Sequence, residues 1–484
     1  MNNKKQVQAV LGLALLGGLM IAAPVQAGGF STPTYGAPGW GRAFGGGSLF
    51  KNDPSSAYNN PAAMAFIDHT IAQQTVDYAR VKIKYSGQAY NYAGNPMTTT
   101  PVNPDGSFDF SPEGATVNNN DGGQGGFTAW LPTGFLVIPI GDRFAFGLSQ
   151  VVPQGMRTTW NEDSKFRDFA VDTKIETVGL TGSLSFKVND QFSVGGGAIV
   201  QRSQGFVSQN VDLLAAAAQS PELGNTPFPP GVGNNLIRVK VDNISVGWFA
   251  GLVWKPTLQD SIGLNYHAKI KNKMTGKYNF HTDPFSYATM TQPGPFGDGK
   301  TMVESAYPGL KLFPDGAHAS TQLDIPATAA IDWVHQFNDR FTLGVSAMWT
   351  EWSSFQDLTL KSSGETIVAI PYNYKNAWMT SIGGDYKVTD QLTLRTGVAY
   401  DQTPTRNSTR DPRIPDGDRY FLAFGAGYDV KAIPGLTLDA AYSHQFVQKV
   451  NIKTKNVDRL GAGQLDGKAE SSGDVVSVSA TYAF

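Results

Sequence analysis

A chain of 484 residues without a single cysteine has neither a disulfide framework nor a thiolate metal centre. Its formal net charge of −2 lacks the basic excess of a nucleic-acid binder, so no nucleic acid is expected as a partner. The six histidines are scattered without a metal-ligand spacing, so neither a metal nor a cofactor is expected.

The first element in the chain is an export signal. Lys4 and Lys5 form a positive n-region, residues 10–23 an uncharged apolar core, and Val25-Gln26-Ala27 a small-residue cleavage site. Residues 1–27 are therefore assigned as a signal peptide, with Gly28 as the mature N-terminus. The apolar run is too short for a membrane anchor, and Pro24 ends it. No later run approaches the ~18 apolar residues of a membrane helix. An exported, cysteine-free chain with 54 glycines and 11% aromatics fits an outer-membrane β-barrel. On composition alone, a secreted soluble β-protein remains open.

Residues 28–68 form the second unit. They are rich in Gly and Pro, lack alternation, and carry Trp40, Phe44, Phe50 and Phe66. Asn60-Pro61-Ala62 is poor strand and poor mid-helix material and reads as a rigid turn. Such a segment cannot cross a membrane, so it is expected inside or below the barrel. Arg42 and Lys51 are candidates to pair with lumen acids such as Asp401, and Asp53 with Arg395. Lumen charges that merely solvate a pore are the bland alternative.

Residues 69–484 form the third unit, and one turn pattern recurs through it. Gly141-Asp142, Asn189-Asp190, Gln259-Asp260, Asn338-Asp339 and Thr389-Asp390 each stand between apolar residues, and Pro434-Gly435 plays the same part. Asp, Asn and Gly accept hairpin dihedrals, so these are six short turns. Their uneven spacing excludes a solenoid or propeller. Strict alternation follows each turn: Phe341, Leu343, Val345, Ala347 and Trp349 share one face, and Val476, Val478, Ala480, Tyr482 and Phe484 another. The opposite faces carry Arg395, Asp401 and Asp439, read as lumen charges. The apolar strips are about ten residues long, the length of a tilted strand crossing hydrocarbon. Aromatics sit at strand ends, as two interfacial girdles require.

Long polar connections are expected near 87–123, 158–170, 208–235, 281–320, 361–374, 403–418 and 449–471, with a short helix over 211–218. Six short and seven long connections join fourteen strands. The fold class is all-β, a fourteen-stranded antiparallel transmembrane barrel whose chain ends lie on the short-turn side. Its third strand, starting at Arg143, contains Pro153, which has no N–H, and Gly155. This pair should break the ladder locally, as a gap in the wall or as a bland bulge. Catalytic signals are absent: there is no G-x-S-x-G elbow, and neighbouring Ser443 and His444 face opposite ways, so no enzyme is expected.

Residues 325–358, 372–404 and 411–430, with "GWGRAFGGGS" and "NNPAAMAF" near the mature N-terminus, resemble the FadL-type outer-membrane transporters of long-chain fatty acids. The related importers of aromatic hydrocarbons share the pattern. The resemblance spans the mature chain but is poor in the long loops. It implies a fourteen-stranded barrel plugged by an N-terminal hatch, and passive uptake of hydrophobic molecules, foremost long-chain fatty acids. It further implies a lumen pocket and a lateral exit through the kinked third strand, at Pro153 and Gly155. Import of aromatic hydrocarbons or alkanes, or a general porin for small polar solutes, are the alternatives. The partners implied are the hydrophobic ligand, outer-membrane lipid and lipopolysaccharide, with a monomer in the outer membrane of a Gram-negative bacterium. Phe30 and Arg202 stand where the family contacts its ligand, and Lys361 is a weaker candidate for a ligand carboxylate. Parity counted from Phe192 nevertheless puts Arg202 on the lipid face. Asn60-Pro61-Ala62 is expected against Pro153-Gln154-Gly155, as the inner lip of the exit.

Overall fold

The structure is a computed structural model and describes residues 29–91, 94–99, 116–212, 234–282, 304, 316–455 and 463–484. After an irregular segment, the chain runs as fourteen wall strands. They are β1 (Ile71–Tyr90), β2 (Phe127–Ile140), β3 (Phe144–Val151 and Gly155–Thr159), β4 (Asp172–Lys187) and β5 (Phe192–Asp212). Then come β6 (Asn234–Trp254), β7 (Asp260–His267 and Lys273–Thr282), β8 (Ala317–Gln322 and Thr328–Gln336) and β9 (Phe341–Thr350 and Asp357–Ser362). The last are β10 (Glu365–Pro371 and Ala377–Lys387), β11 (Leu392–Asp401), β12 (Arg419–Asp429), β13 (Leu436–Val447 and Val450–Lys455) and β14 (Gln464–Ala483). Each strand pairs antiparallel with the next. The ladder from Ile71↔Ala483 to Tyr90↔Gln464 joins β1 to β14 and closes the barrel.

All six short turns fall where their sequence places them, and Gly141 (φ 61°) and Gly435 (φ 91°) use the left-handed region that glycine tolerates. Several long connections are shorter than expected, those near 361–374 and 449–471 most of all, whereas that near 403–418 is not. Residues 361–374 contain only a tight Ser363-Gly364 turn, with φ of 51° and 88°. Strands β9 and β10 continue above the lipid there. With water on the outside, the apolar–polar alternation that marks a membrane strand is no longer required. The helix expected over 211–218 begins inside β5 at Val211 and otherwise lies outside the described residues.

The outer face is a continuous apolar band. Along β6 it runs from Trp254 through Trp248 and Val246 to Ile244, whose side chains are exposed. Ten residues of a tilted strand span about 25 Å, the height of the band in outer-membrane barrels. Aromatic pairs mark its rims: Phe192–Trp254 (5.9 Å) and Phe144–Phe186 (5.0 Å) at the short turns, Tyr78–Trp130 (4.8 Å) and Tyr400–Tyr420 (5.0 Å) toward the other side.

Residues 29–68 pack against inward-facing groups all round the wall. The segment contains helix α1 (Ala37–Gly41), helix α2 (Ser56–Asn59) and a 3₁₀ turn, Pro61–Phe66. The Ala37 N–H donates to Ser479 of β14 (2.7 Å), Ser183 of β4 donates to the Ala57 carbonyl (2.7 Å), and Asn60 donates to the carbonyls of Leu252 and Leu264 (3.4 and 3.2 Å). The wall is glycine where this backbone presses on it. A Cβ on Gly383 or Gly397 would stand 2.1 Å from the Arg42 carbonyl oxygen.

Candidate functional site: the lumen and the break in its wall

The lower lumen is held by ion pairs. Arg42, 2% exposed, reaches Asp53 (3.3 Å) and Asp385 of β10 (3.1 Å), and its guanidinium lies 3.7 Å from the Phe50 ring centroid. Arg395 of β11 bridges Asp385 (3.3 Å) and Asp439 of β13 (2.7 Å). One chain of charges thus ties the segment to three wall strands. The pairings differ from those expected of the sequence. Asp401 stands 3.8 Å from Arg419 rather than beside Arg42, and Arg395 meets wall carboxylates rather than Asp53. Register explains it: Asp385 lies directly across from Arg395 on the neighbouring strand.

Above this network is a cavity of ≈ 150 Å³. The N-terminal segment contributes Thr32, Tyr35 and Tyr58; the wall contributes Pro153, Ile199 and Trp352. Burial pushes the Tyr35 and Tyr58 phenols well above their usual range, so both stay neutral hydroxyls. A second cavity, ≈ 70 Å³, lies toward the long loops and is almost wholly apolar; Ile237, Val239, Met274, Leu323, Phe355 and Ile370 are among its walls. Phe30 links the two. Fully buried, it stands edge-on to Trp352 of the first cavity (4.7 Å) and to Phe355 of the second (5.6 Å). Tyr372 and Tyr374 complete the aromatic group, 5.0 and 5.1 Å from Phe355. Burial raises the Tyr374 phenol as well.

The wall breaks at Pro153. The first half of β3 pairs on both sides, with Gly134–Ile140 of β2 and with β4. The second half, from Gly155, pairs with β4 only. Residues 127–133 of β2 pair with β1 but not with β3. Pairing resumes above, where the Thr159 N–H donates to the Gly125 carbonyl (3.1 Å). The backbone groups that β3 releases find other partners. The Thr32 N–H donates to the Pro153 carbonyl and the Gly155 N–H to the Phe30 carbonyl, both at 2.9 Å. The Thr177 hydroxyl accepts from the Gln154 N–H at 2.9 Å. Pro153 and Gln154 line the first cavity, so the bend is inward. Val152, Leu131 and Ala129 cluster beside the break.

The lip of the break is therefore Phe30–Thr32 and not Asn60-Pro61-Ala62. That tripeptide serves β5, β6 and β7: Ser193 donates to the Ala62 carbonyl (2.7 Å), and a Cβ on Gly251 would stand 2.0 Å from Asn60 Oδ1. The extended Asn60, whose side chain accepts from the Ala62 N–H (3.2 Å), starts the 3₁₀ turn that leads into β1. Arg202 is corrected too. It is exposed on the outer face and paired with Asp242 (3.2 Å), as its parity requires in an unbroken β5. Lys361 also points outward, because its neighbours Leu360 and Ser362 take the inward positions.

The sequence placed a long connection at 403–418, and the structure has it at 402–418, but its charges were not recognised as a cluster. The loop folds over the lumen on a buried charge cluster: Arg413 pairs with Asp411 (2.7 Å) and Gln209, Arg419 with Asp416. Asp416 Oδ2 also accepts from Thr403 (2.6 Å) and from the Gly29 N–H (3.1 Å), which ties the loop to the N-terminal segment. The run "DPRIPDGD" carried this signal as charges inside a Pro-Gly loop.

An antiparallel barrel with an apolar belt, aromatic rims and buried apolar cavities is an outer-membrane β-barrel. Over residues 18–484 the chain matches the family described as outer membrane protein transport protein (OMPP1/FadL/TodX), and it belongs to that family. It is similar to a solved FadL homologue of Pseudomonas aeruginosa, with 63% identity, 94% of this chain and 100% of that one covered, and a TM-score of 0.88. It is 24% identical to a long-chain fatty acid transport protein of Escherichia coli O6:H1, over 96% of each chain. The toluene transporter TbuX of Ralstonia pickettii shares the fold at 17% identity, 93% and 98% coverage and a TM-score of 0.61. The protein resides in the outer membrane.

Proposed function

We propose that the protein admits hydrophobic molecules across the outer membrane by diffusion, foremost long-chain fatty acids. Residues 29–68 act as a hatch. The apolar upper cavity receives the ligand, Phe30 separates it from the lower cavity, and the ligand leaves sideways between β2 and β3. The observation that carries this reading is the interrupted pairing at Pro153–Gly155, flanked by Ala129, Leu131 and Val152. Apolar flanks favour apolar cargo there, and the ion-paired lower lumen disfavours a straight axial path for it. The test is Pro153→Thr with Gly155→Val, which restores donor and strand propensity. Uptake of a labelled fatty acid should be abolished while barrel folding and ligand binding persist; unaltered uptake would refute the exit. A general porin is separated by conductance: a steady large current in a planar bilayer would contradict the hatch.

A second reading rests on one observation. Among the described residues lining the lower cavity there is no Lys or Arg, whereas Asp332 and Asp401 are present. An ionised carboxylate is costly beside buried acids, so an uncharged aromatic hydrocarbon or alkane suits that cavity better. Binding of toluene or decane in preference to palmitate would favour it.

A further inference from the structure

The outer face carries two basic regions above the apolar band, and they are built differently. On β1, Arg80 and Lys84 lie directly across from Asp474 and Glu470 of β14. Lys449 pairs with Glu470, and Lys453 stands 3.8 Å from Asp466. Base faces acid in this region.

On β6, β7 and β8 base faces base. Lys240 of β6 lies directly across from Lys277 of β7, and Lys277 lies directly across from His318 of β8. All three side chains are exposed. Directly below them the outward residues are Lys273 of β7 and Lys271 and Lys269 of the stretch between its two halves. The acids nearby are already engaged: Asp242 with Arg202 (3.2 Å), Glu162 with Arg238 (3.6 Å) and Asp324 with Lys269 (3.8 Å). Among the described residues, Lys240, Lys271, Lys273 and Lys277 have no carboxylate within ion-pair distance. Like charges directly opposite on a sheet repel and destabilise it, so an anion supplied from outside would relieve a cost built into the wall.

Position identifies the anion. Lys240 is the second outward residue beyond Ile244, the last apolar position of the band on β6. This is the long-loop side, hence the outer leaflet, and lysines just past the hydrocarbon boundary reach headgroup phosphates. Lys277, across from Lys240, and Lys273 give two anchor points four residues, roughly 13 Å, apart along β7. We propose that the outer face of β6–β8 binds the diphosphorylated glycolipid of the outer leaflet, lipid A, through Lys240, Lys273 and Lys277, with its acyl chains along the apolar band below.

The test uses the full-length protein in uncharged detergent, with lipid A as the probe. By native mass spectrometry the wild type should retain lipid A, and Lys240→Gln with Lys277→Gln should lose most of it. Arg80→Gln with Lys84→Gln, in the balanced region, should retain it. Chemically dephosphorylated lipid A should not be retained by the wild type. Thermal stability gives an independent sign: Lys277→Gln should raise the melting temperature without lipid A and abolish the rise that lipid A produces in the wild type. Equal retention by the two double variants, equal retention of the dephosphorylated glycolipid, or no retention by the wild type would overturn the proposal.

Discussion

The two halves of the lumen are built from opposite materials. The lower half is glycine-faced wall pressed against the backbone of residues 29–68 and locked by Arg42, Asp385, Arg395 and Asp439. The upper half is aliphatic and aromatic around its cavity, from Phe30 and Trp352 to Ile237 and Met274, beneath the charge cluster of the loop 402–418. The contrast teaches where a hydrophobic molecule is stable. It gains transfer free energy in the upper half and would have to break buried ion pairs to descend further. The break in β3 lies at the junction of the two.

The strongest way to break this contrast is to spoil the fit below. Gly383→Val with Gly397→Val puts side chains into the Arg42 carbonyl, and overpacking costs about 1–3 kcal/mol at each site. The segment should be displaced, and a planar-bilayer recording should change from nearly silent to porin-like. A silent recording would mean that the seat is not needed to keep the lumen closed. Next in size is Phe30→Ala. Removing a fully buried phenylalanine costs about 3–5 kcal/mol when nothing refills the space. The cost should fall on local docking of the N-terminus, seen as faster proteolysis at residues 29–32 and merging of the two cavities. Asp385→Ala follows, because Arg42 keeps Asp53 and Arg395 keeps Asp439. About 1–3 kcal/mol of docking should be lost, and adding Arg42→Ala should cost less than the sum of the two changes. Smallest is Arg202→Gln with Lys361→Gln. Both side chains face outward, so uptake and ligand affinity should stay unchanged, with stability within about 0.5 kcal/mol.

Much of this was legible because lipid imposes a strict rule. Strands such as Phe341–Thr350 alternate wherever hydrocarbon is on one side, and their turns need Asp, Asn or Gly. Hence the turn positions and the strand count could be read from residue type, whereas Pro153 and Gly155 left a gap and a bulge both open and only the resemblance favoured the gap. Above the lipid the rule lapses, so Glu365–Pro371 looked like loop although it is strand. The site was less legible, because the lumen is assembled by register. Trp352, Phe355 and Tyr372 come together only once β9 and β10 are paired and bent. Nothing local marks Asp385, rather than Asp401, as the partner of Arg42. The seat had a signal that could have been used: Gly344, Gly383, Gly397 and Gly425 take inward positions on successive strands. The resemblance misled at Arg202, where the parity of its own strand gave the correct face.

The central claim is that ligand passes between β2 and β3. The direct measurement is photo-crosslinking with a diazirine-bearing long-chain fatty acid during uptake, followed by peptide mapping. The account predicts label in the upper cavity and on residues 127–133 and 152–156. Label running instead past Arg42, Asp53 and Lys51 toward the short turns, with none on those two stretches, would contradict it.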